Sequence, residues 1–392
     1  MSEMKICVVS GSRAEFGQLL PLLNEIMKDP FFSLDFVITG MHCVPNSPSI
    51  GEINNSQIPI TGQIPINNII DNSDKGIAIQ IGEIIQKSAQ YFSQKRPDLL
   101  IIIGDRYEMM GISVAAYTLL IPIAHICGGS STSGALDEAY RHSISKMSSL
   151  HFTTCEMYKK RVIQLGEHPN KVFNVGSLAI ENCLHVELLS KEEIKQDVGV
   201  PLDKPYCVVT FHPETMEECS QCDELREVIE ALNVFKEYYY VITLSNVDSG
   251  GNAINDLWNE EAKKHDNFII VASLGTKRYL SALKHSEMMI GNSSSGTTEG
   301  PAMHIPTIDI GDRQKGRFFA QSLVHCKTKK DDIVKAIKKA KSEDFKEMVR
   351  NVDNPFGDGT TSKKIVSILK EQKNNLTPKK DFYDIDFIMK NK

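Results

Sequence analysis

The sequence predicts an α/β protein of two doubly wound domains, each built on a parallel sheet, and three observations support this. Short runs rich in Ile and Val alternate with helical segments along the first half of the chain. The same alternation restarts after the polar stretch Lys191–Lys204. The chain has 392 residues, too many for one ordinary domain and enough for two. Strand–helix–strand repetition of this kind forms a parallel sheet that helices cover on both faces.

The predicted strands are continuous apolar runs, the pattern of strands buried on both faces. In the first half they are Lys5–Ser10, Leu34–Thr39, Leu99–Ile103, Ile121–Ile126 and Val172–Val175. In the second half they are Tyr206–Phe211, Tyr239–Leu244, Phe268–Val271, Glu287–Ile290 and Thr307–Ile310. Helices are predicted at Gln18–Lys28, Ile77–Gln94, Glu108–Leu119, Asp137–Ser148 and Thr361–Gln372. We expect domains at residues 1–177 and 178–362, then a closing helix and tail at 363–392, whose Lys- and Asn-rich end is typical of partly ordered segments.

Composition argues against several classes of protein. The net charge of −6 with mixed signs leaves no basic surface for nucleic acid. The sequence shows no signal peptide, and no run reaches the ~18 apolar residues of a membrane span. The nine cysteines are scattered and odd in number, which argues against a disulfide framework and for a reducing compartment. We therefore expect a cytoplasmic protein without membrane or nucleic-acid partners.

The first predicted strand leads into the glycine-bounded loop Gly11–Gly17. Ligands bind at the carboxyl ends of strands in parallel sheets, so this loop is a candidate site. It lacks the GxGxxG fingerprint, which disfavours a nicotinamide cofactor. Arg13 could reach a phosphate and Glu15 a substrate, or the loop is only a helix start with an acid that favours the helix dipole. The residues leave both interpretations open.

The loop Gly104–Glu108 follows the Ile-rich strand at Leu99–Ile103. A carboxylate and a guanidinium there are costly unless they pair with each other or with a ligand. Asp105 is therefore a candidate base or hydrogen-bond acceptor. The alternative is that Asp105 only caps the following helix.

A third loop, His125–Ser130, contains a diglycine that permits close approach of a ligand. Asp137 and Arg141, and likewise Glu138 and His142, follow at i,i+4 spacing on a predicted helix. Such pairs usually stabilise a helix surface. Their place directly after the glycine loop favours a functional role.

Two loops of the second half also carry candidate residues. His212 ends a buried strand and is a candidate acid or base. At Gly291–Pro301 a strand runs into glycines and hydroxyl residues that open a helix, an arrangement suited to phosphate or pyrophosphate. Within it Glu299 could accept ribose hydroxyls, and Arg313 could add positive charge. The CxxC at 219–222 has no partner motif, so no metal site is expected.

Together these motifs resemble those of the hydrolysing UDP-N-acetylglucosamine 2-epimerases of sialic acid biosynthesis and their relatives acting on diacetamido-trideoxy sugars for legionaminic acid. The matching stretches are GSRAEFG from Gly11, GMH from Gly40, GDRYE from Gly104, GALDEAYRHSISKMSSLHF from Gly134, FHPET from Phe211, GNSSSG from Gly291 and GDRQKGR from Gly311. They occur in family order and span nearly all of the chain up to about residue 320.

The resemblance implies two Rossmann-like domains of the GT-B type with a cleft between them, and UDP bound mainly by the second domain. It implies no cofactor, no metal, a UDP-linked substrate and a homodimer or homotetramer. The candidate catalytic residues are Asp105, Glu108, Asp137 and His212. The candidate nucleotide-binding residues are Arg13, Arg106, Asn292, Ser294, Ser295, Gly296, Glu299 and Arg313.

The implied reaction breaks the C1–O bond to UDP and removes the C2 proton to give a glycal. Water then adds at C1 and a proton returns to the other face of C2, which releases N-acetylmannosamine. This chain departs from the family at Cys127 and Ser130, where acidic residues or histidine are usual, and a thiol with a pKa near ~8.5 is a poor substitute. Three alternatives stay open. They are the same reaction on a UDP- or GDP-linked 2,4-diacetamido-2,4,6-trideoxyhexose, a GT-B glycosyltransferase, and an inactive nucleotide-sugar binder.

Overall fold

The computed structural model describes residues 3–45, 47–67, 69, 71, 73–132, 136–212, 221–244, 251–272 and 274–386. Contacts divide the chain into two compact units. Unit 1 comprises Met1–Ser130, Leu136–Asn182 and Phe356–Lys392, and unit 2 comprises Ser131–Ala135 and Cys183–Pro355. These are contact boundaries, and the domain limits predicted from the sequence stay a prediction.

Unit 1 contains a parallel sheet in the order β3-β2-β1-β4-β5-β6-β7. Its strands are β1 (Met4–Ser10), β2 (Phe32–Thr39), β3 (Gly62–Ile64), β4 (Leu99–Ile103), β5 (Ile123–Ile126), β6 (Leu150–Thr153) and β7 (Val172–Asn174). The helices of this part of the chain are α1 (Arg13–Lys28), α2 (Pro48–Asn55), α3 (Asp74–Gln94), α4 (Tyr107–Thr118), α5 (Leu136–Met147), α6 (Glu156–Gln164) and α7 (Leu178–His185), the last crossing the boundary between the units.

Unit 2 contains a second parallel sheet in the order β10-β9-β8-β11-β12-β13. Its elements are α8 (Lys191–Val198), β8 (Tyr206–Thr210), α9 (Gln221–Leu232), β9 (Tyr239–Thr243), α10 (Gly251–Ala262), β10 (Phe268–Val271), α11 (Gly275–Lys284), β11 (Met289–Gly291), α12 (Ser295–Ala302), β12 (Thr307–Ile310), β13 (Leu323–Cys326), α13 (Lys330–Lys341) and α14 (Glu343–Arg350). The chain then returns to unit 1 with α15 (Thr361–Gln372). The predicted fold class is confirmed.

Strand β1 shows why the apolar runs do not alternate with polar residues. Ile6 and Val8 pack into the hydrophobic cluster on one face of the sheet. Cys7 and Val9 pack into the cluster on the other face. Both faces of the strand are therefore buried, as a doubly wound fold requires.

The described part of the C-terminal tail, up to residue 386, is better packed than its composition predicts. Lys380 donates to the buried Glu167 carboxylate at 2.5 Å and to the Ser148 carbonyl at 2.7 Å. The Tyr383 amide donates to the Gly166 carbonyl at 2.9 Å. Because a buried carboxylate needs cationic partners, Lys380 holds this part of the tail against the rest of unit 1. In the part of the chain that the structure describes, no helix is long and apolar enough to cross a membrane.

Helix α1 begins with a capping box whose acid is buried. The Ser12 hydroxyl accepts from the Glu15 amide, and Glu15 Oε2 accepts from the amides of Gly11 at 2.6 Å and Ser12 at 3.0 Å. The Glu15 residue is only 7% exposed. Burial, and next the charge of Glu108, raise the pKa of Glu15 from 4.5 to about 7.

This burial predicts a pH-dependent stability. A carboxyl whose pKa is raised by folding stabilises the folded state at low pH, and that contribution is lost as pH rises through about 7. Glu15→Gln keeps a hydrogen-bond acceptor but does not titrate. We expect the variant to gain up to about 3 kcal/mol of unfolding free energy relative to wild type between pH 4.5 and pH 8. Urea unfolding of both proteins across this range measures it, and parallel pH curves would contradict it.

The backbone at the end of β11 leaves room only for glycine at position 291. Gly291 has φ +142°, and a Cβ there would lie 1.9 Å from the Thr210 carbonyl oxygen. We expect Gly291→Ala to destabilise the protein by at least ~2 kcal/mol, because backbone must shift. Gly82→Ala on α3, where a Cβ meets nothing within 4 Å, should instead stabilise by up to ~1 kcal/mol. Thermal unfolding compares the two, and equal effects would refute the steric argument.

Candidate functional site

In both sheets the strand order reverses beside the first strand of the unit. In unit 1, β1 pairs with β2 on one side and β4 on the other. In unit 2, β8 pairs in the same way with β9 and β11. Loops leave the sheet in opposite directions at such a point and open a crevice that binds ligands. The candidate residues follow these strands or their neighbours β5 and β12.

The acidic site, our name for Asp105, Glu108, Asp137 and Glu138 of unit 1, is organised by Arg141. This residue is 2% exposed. Its guanidinium donates to Asp105 Oδ2 from Nη2 and, at 2.7 Å, from Nε. It also donates from Nη1 to Glu138 Oε2 at 2.7 Å and to the Ser130 carbonyl at 2.9 Å. One buried cation thus ties together the loop after β4, the loop after β5 and the start of α5.

The predicted alternative for Asp105, a helix cap, is not what the structure shows. The N-cap of α4 is Arg106. Instead, Asp105 Oδ2 accepts hydrogen bonds from the guanidinium of Arg141, and the two side chains form an ion pair. The predicted pair of Glu138 and His142 is present, with 3.1 Å between Oε1 and Nε2.

Glu108 is the fully buried member of the acidic site. Both of its oxygens accept from Arg106, at 3.1 Å from Nε and 2.9 Å from Nη2. Gly40, with φ +54°, packs so closely that a Cβ there would lie 2.9 Å from Glu108 Oε1. This geometry suits a residue that holds Arg106 in place, while the predicted catalytic role of Glu108 stays a prediction.

Asp137 lies in the first turn of α5 and is exposed at the surface. Partial desolvation, and next the negative charge of Asp105, raise its pKa above the ordinary value of 3.8. Two carboxylates in unlike environments therefore lie within electrostatic reach of each other. A pair of this kind can divide the roles of base and acid.

His125 links the strand ends that support the acidic site. Its Nε2 lies 2.7 Å from the Gly104 carbonyl and its Nδ1 lies 2.9 Å from the Ser145 hydroxyl. Burial lowers the pKa of His125 to about 3, so the ring is neutral, with the proton on Nε2 facing the carbonyl. Burial likewise raises the pKa of the Cys127 thiol to about 12. The Cys127 thiol therefore stays protonated at neutral pH and cannot act as a base.

We use the name hydroxyl site for five residues of unit 2: Asn292, Ser294, Ser295, Glu299 and Arg313. The uncharged residue Asn292 connects this site to neighbouring loops. The Asn292 side chain accepts from the His212 amide at 2.7 Å and donates to the His212 carbonyl at 2.8 Å. The Asn292 carbonyl accepts from Arg313 at 3.0 Å and from Gln314 at 2.7 Å. Asn292 thus connects the loops after β8, β11 and β12, and its predicted contact with nucleotide stays a prediction.

His212 is kept neutral where it lies. Desolvation, and next the positive charge of Arg313, lower its pKa to about 4. A neutral imidazole can accept a proton, and a pKa this low makes it a weak base near pH 7. The remainder of the FHPET motif, from Pro213 onward, lies outside the described residues, as do Gly134 and Ala135 of the GALDE motif.

Helix α12 starts at Ser295, as the phosphate-loop pattern predicts. Its N-cap residue Ser294 makes no side-chain capping bond within the described residues. Gly296 packs against β12, where a Cβ would lie 2.7 Å from the Thr307 methyl group. One turn into the helix, Glu299 accepts from the Thr298 hydroxyl, and burial raises its pKa. A helix start of this composition suits an anion.

The candidates Arg13 and Arg106 are both paired with acids in unit 1. Arg13 forms an ion pair with Glu52 and is about half exposed, at 48% of its side chain. Sequence reasoning named Arg141 only as the i,i+4 partner of Asp137, and it missed Tyr279 as a candidate site residue. Nothing in the neighbouring sequence indicates that Arg141 is buried. The contact of Tyr279 with Ser295 joins residues on separate helices, so it has no pattern in the local sequence.

The comparisons with known proteins agree with this architecture. The GDP/UDP-N,N'-diacetylbacillosamine 2-epimerase (hydrolyzing) of Campylobacter jejuni is 37% identical over 349 residues, which cover 88% of this chain and 90% of that protein. Polysialic acid biosynthesis protein P7 of Escherichia coli is 39% identical over 386 residues, 97% of each chain.

The fold is also that of solved structures. The S. aureus MnaA–UDP co-structure superposes with a TM-score of 0.80, covering 97% of this chain and 100% of that chain, at 18% identity. Identity this low supports the fold alone. The sequence model of the family described as UDP-N-acetylglucosamine 2-epimerase matches residues 24–370. The chain therefore belongs to the UDP-N-acetylglucosamine 2-epimerase family.

Proposed function

We propose that the chain is a hydrolysing 2-epimerase that converts UDP-N-acetylglucosamine to N-acetylmannosamine and UDP. The observation that carries the proposal is the pair of carboxylates at the acidic site. Arg141 holds Asp105 through charge-assisted bonds, and the charge of Asp105 helps to raise the pKa of Asp137. Epimerisation at C2 needs two proton-transfer groups of this unlike kind.

Unit 2 supplies the groups that stabilise the leaving diphosphate. The start of α12, with Ser294, Ser295 and Gly296, presents hydroxyl and backbone groups to an anion. Arg313 adds positive charge beside the same loop, held by the Asn292 carbonyl. The Glu299 carboxylate accepts hydrogen bonds from the ribose hydroxyls. Stabilising the charge that develops as the C1–O bond breaks lowers the barrier to that step.

Unit 1 carries the proton transfers. As the C1–O bond breaks, its electron pair leaves with UDP. Asp105 takes the C2 proton, and the C2–H electron pair becomes the C1–C2 double bond of the glycal. Asp137, which starts protonated, then gives its proton to C2 on the opposite face, and water adds its hydroxyl at C1 while its remaining proton passes to Asp137. The proton on Asp105 is released to solvent, which restores both carboxyl groups to their starting states. Cys127 takes no part, because its thiol pKa is about 12.

A second substrate is favoured by one specific observation. The relative from Campylobacter jejuni that is 37% identical is named for a GDP- or UDP-linked diacetylbacillosamine. The same chemistry on a 2,4-diacetamido-2,4,6-trideoxyhexose would need only a different fit around C4 and C6. Substitution of the usual acid by Cys127 motivates the further alternative of an inactive binder.

The first test is turnover in deuterated water followed by proton NMR. With UDP-N-acetylglucosamine alone and no acceptor, we expect UDP and free N-acetylmannosamine with deuterium at C2, because the C2 proton exchanges with solvent. UDP-linked diacetamido sugar is the parallel substrate. Turnover of that sugar alone would reassign the substrate. Product formation that requires an acceptor would indicate a glycosyltransferase, and binding without turnover of either sugar would leave the inactive binder.

The carboxylate assignment predicts the effect of Asp105→Asn. This variant keeps the shape beside Arg141 but removes the base, so we expect kcat to fall ~10²-fold or more. The affinity for UDP should stay near wild type, because most of the proposed nucleotide contacts lie in unit 2. Asp74→Asn, in the exposed first turn of α3, is the matched control and should keep wild-type turnover. Steady-state kinetics and calorimetric UDP titration measure both quantities. Wild-type turnover by Asp105→Asn would eliminate Asp105 as the base.

A further inference from the structure

Tyr279 connects α11 to the start of α12. Its hydroxyl donates to the Ser295 Oγ at 2.8 Å. Its ring is packed against two hydrophobic clusters of unit 2, one containing Val208 and Val241 and the other containing Met289. Packing therefore fixes the ring, and with it the point from which the hydroxyl reaches Ser295.

This contact determines where the Ser295 proton can point. A serine hydroxyl has one proton to donate and two lone pairs to accept with. Because Tyr279 occupies a lone pair of Ser295, the Ser295 proton must point toward another acceptor. One acceptor lies a turn further along α12, since burial raises the pKa of Glu299 and the Ser295 hydroxyl partly offsets this by bonding to its carboxylate.

The contact is also part of a longer hydroxyl chain. Thr210 at the end of β8 lies with its Oγ1 2.6 Å from the Thr243 hydroxyl. The Thr210 side chain also bonds to the Tyr279 oxygen. The chain of hydroxyls thus runs from the strand beside the reversal of sheet order, through Tyr279, to Ser295 and Glu299.

The first turn of helix α12 receives a contact from outside the helix through Tyr279. Its N-cap residue Ser294 makes no side-chain capping bond in the described part of the chain, so nothing on that side chain orients the first turn. Burial raises the pKa of Tyr279, so its hydroxyl stays protonated and remains a donor at neutral pH.

We propose that Tyr279 is a positioning residue for nucleotide binding, whose hydroxyl occupies one Ser295 lone pair and so directs the single Ser295 proton, which bonds to Glu299 in the free chain, to an acceptor oxygen of the bound nucleoside diphosphate. This inference rests on the proposed binding of a nucleoside diphosphate by unit 2. Tyr279 itself does not contact the ligand. It acts through the direction of one hydroxyl.

The test is calorimetric titration of the full chain with UDP. We expect Tyr279→Phe to weaken UDP binding about fivefold to tenfold, since it removes one hydrogen bond that orients a ligand-binding hydroxyl. In turnover the variant should raise KM while kcat stays near wild type. Tyr206→Phe is the matched control, because it removes a buried tyrosine hydroxyl of the same unit, bonded at 2.7 Å to the Ala282 carbonyl. This control should keep wild-type UDP affinity.

A double-variant cycle separates positioning from general destabilisation. If Tyr279 acts through Ser295, then adding Tyr279→Phe to Ser295→Ala should not weaken UDP binding further. Additive losses, or equal losses in Tyr279→Phe and Tyr206→Phe, would overturn the inference. Wild-type affinity of Tyr279→Phe for UDP would also overturn it while leaving the proposed function intact. Absence of UDP binding by the wild-type chain would instead overturn the proposed function.

Discussion

The parallel pairing of the central strands is the constraint on which the candidate sites depend. A parallel strand must return over a face of the sheet before the next strand begins, so every strand ends at the same edge. In unit 1 this brings the loops after β1, β4 and β5 to one edge. In unit 2 it does the same for the loops after β8, β11 and β12. Residues far apart in sequence, such as Asp105 and Arg141, become neighbours only through this pairing.

The two units then organise their loops by different interactions. Unit 1 uses buried charge. Arg141 and Glu108 are each almost fully enclosed, and each is matched by an opposite charge, because an unpaired buried ion would cost several kcal/mol. Unit 2 uses neutral groups, the Asn292 amide and the Tyr279 hydroxyl. The difference is consistent with the proposed roles, since proton transfer needs carboxylates whose ionisation is controlled, whereas a diphosphate brings its own charge and needs oriented donors.

The sequence by itself determined most of the strands and the position of the anion loop. Continuous Ile- and Val-rich runs such as β4 and β8 identified the buried strands, because burial on both faces leaves no polar alternation. The glycine and hydroxyl residues before α12 identified an anion loop, because the pattern is local. Three short strands, β3, β6 and β13, were missed. Strand β6 follows α5 after only two residues, so its apolar positions merge with the helical periodicity.

Only the tertiary structure decided how the polar side chains pair. The sequence suggested that Asp105 caps α4 or serves as a base, and the fold brought Arg141 to it from 36 residues away. The fold also showed that both Glu108 oxygens accept from Arg106 and that α15 returns to unit 1. Local pattern determines which residues form strands and helices, because those hydrogen bonds and apolar faces are set by near neighbours. The partners of a buried charge depend on which strands pair, and that is decided when the whole chain packs.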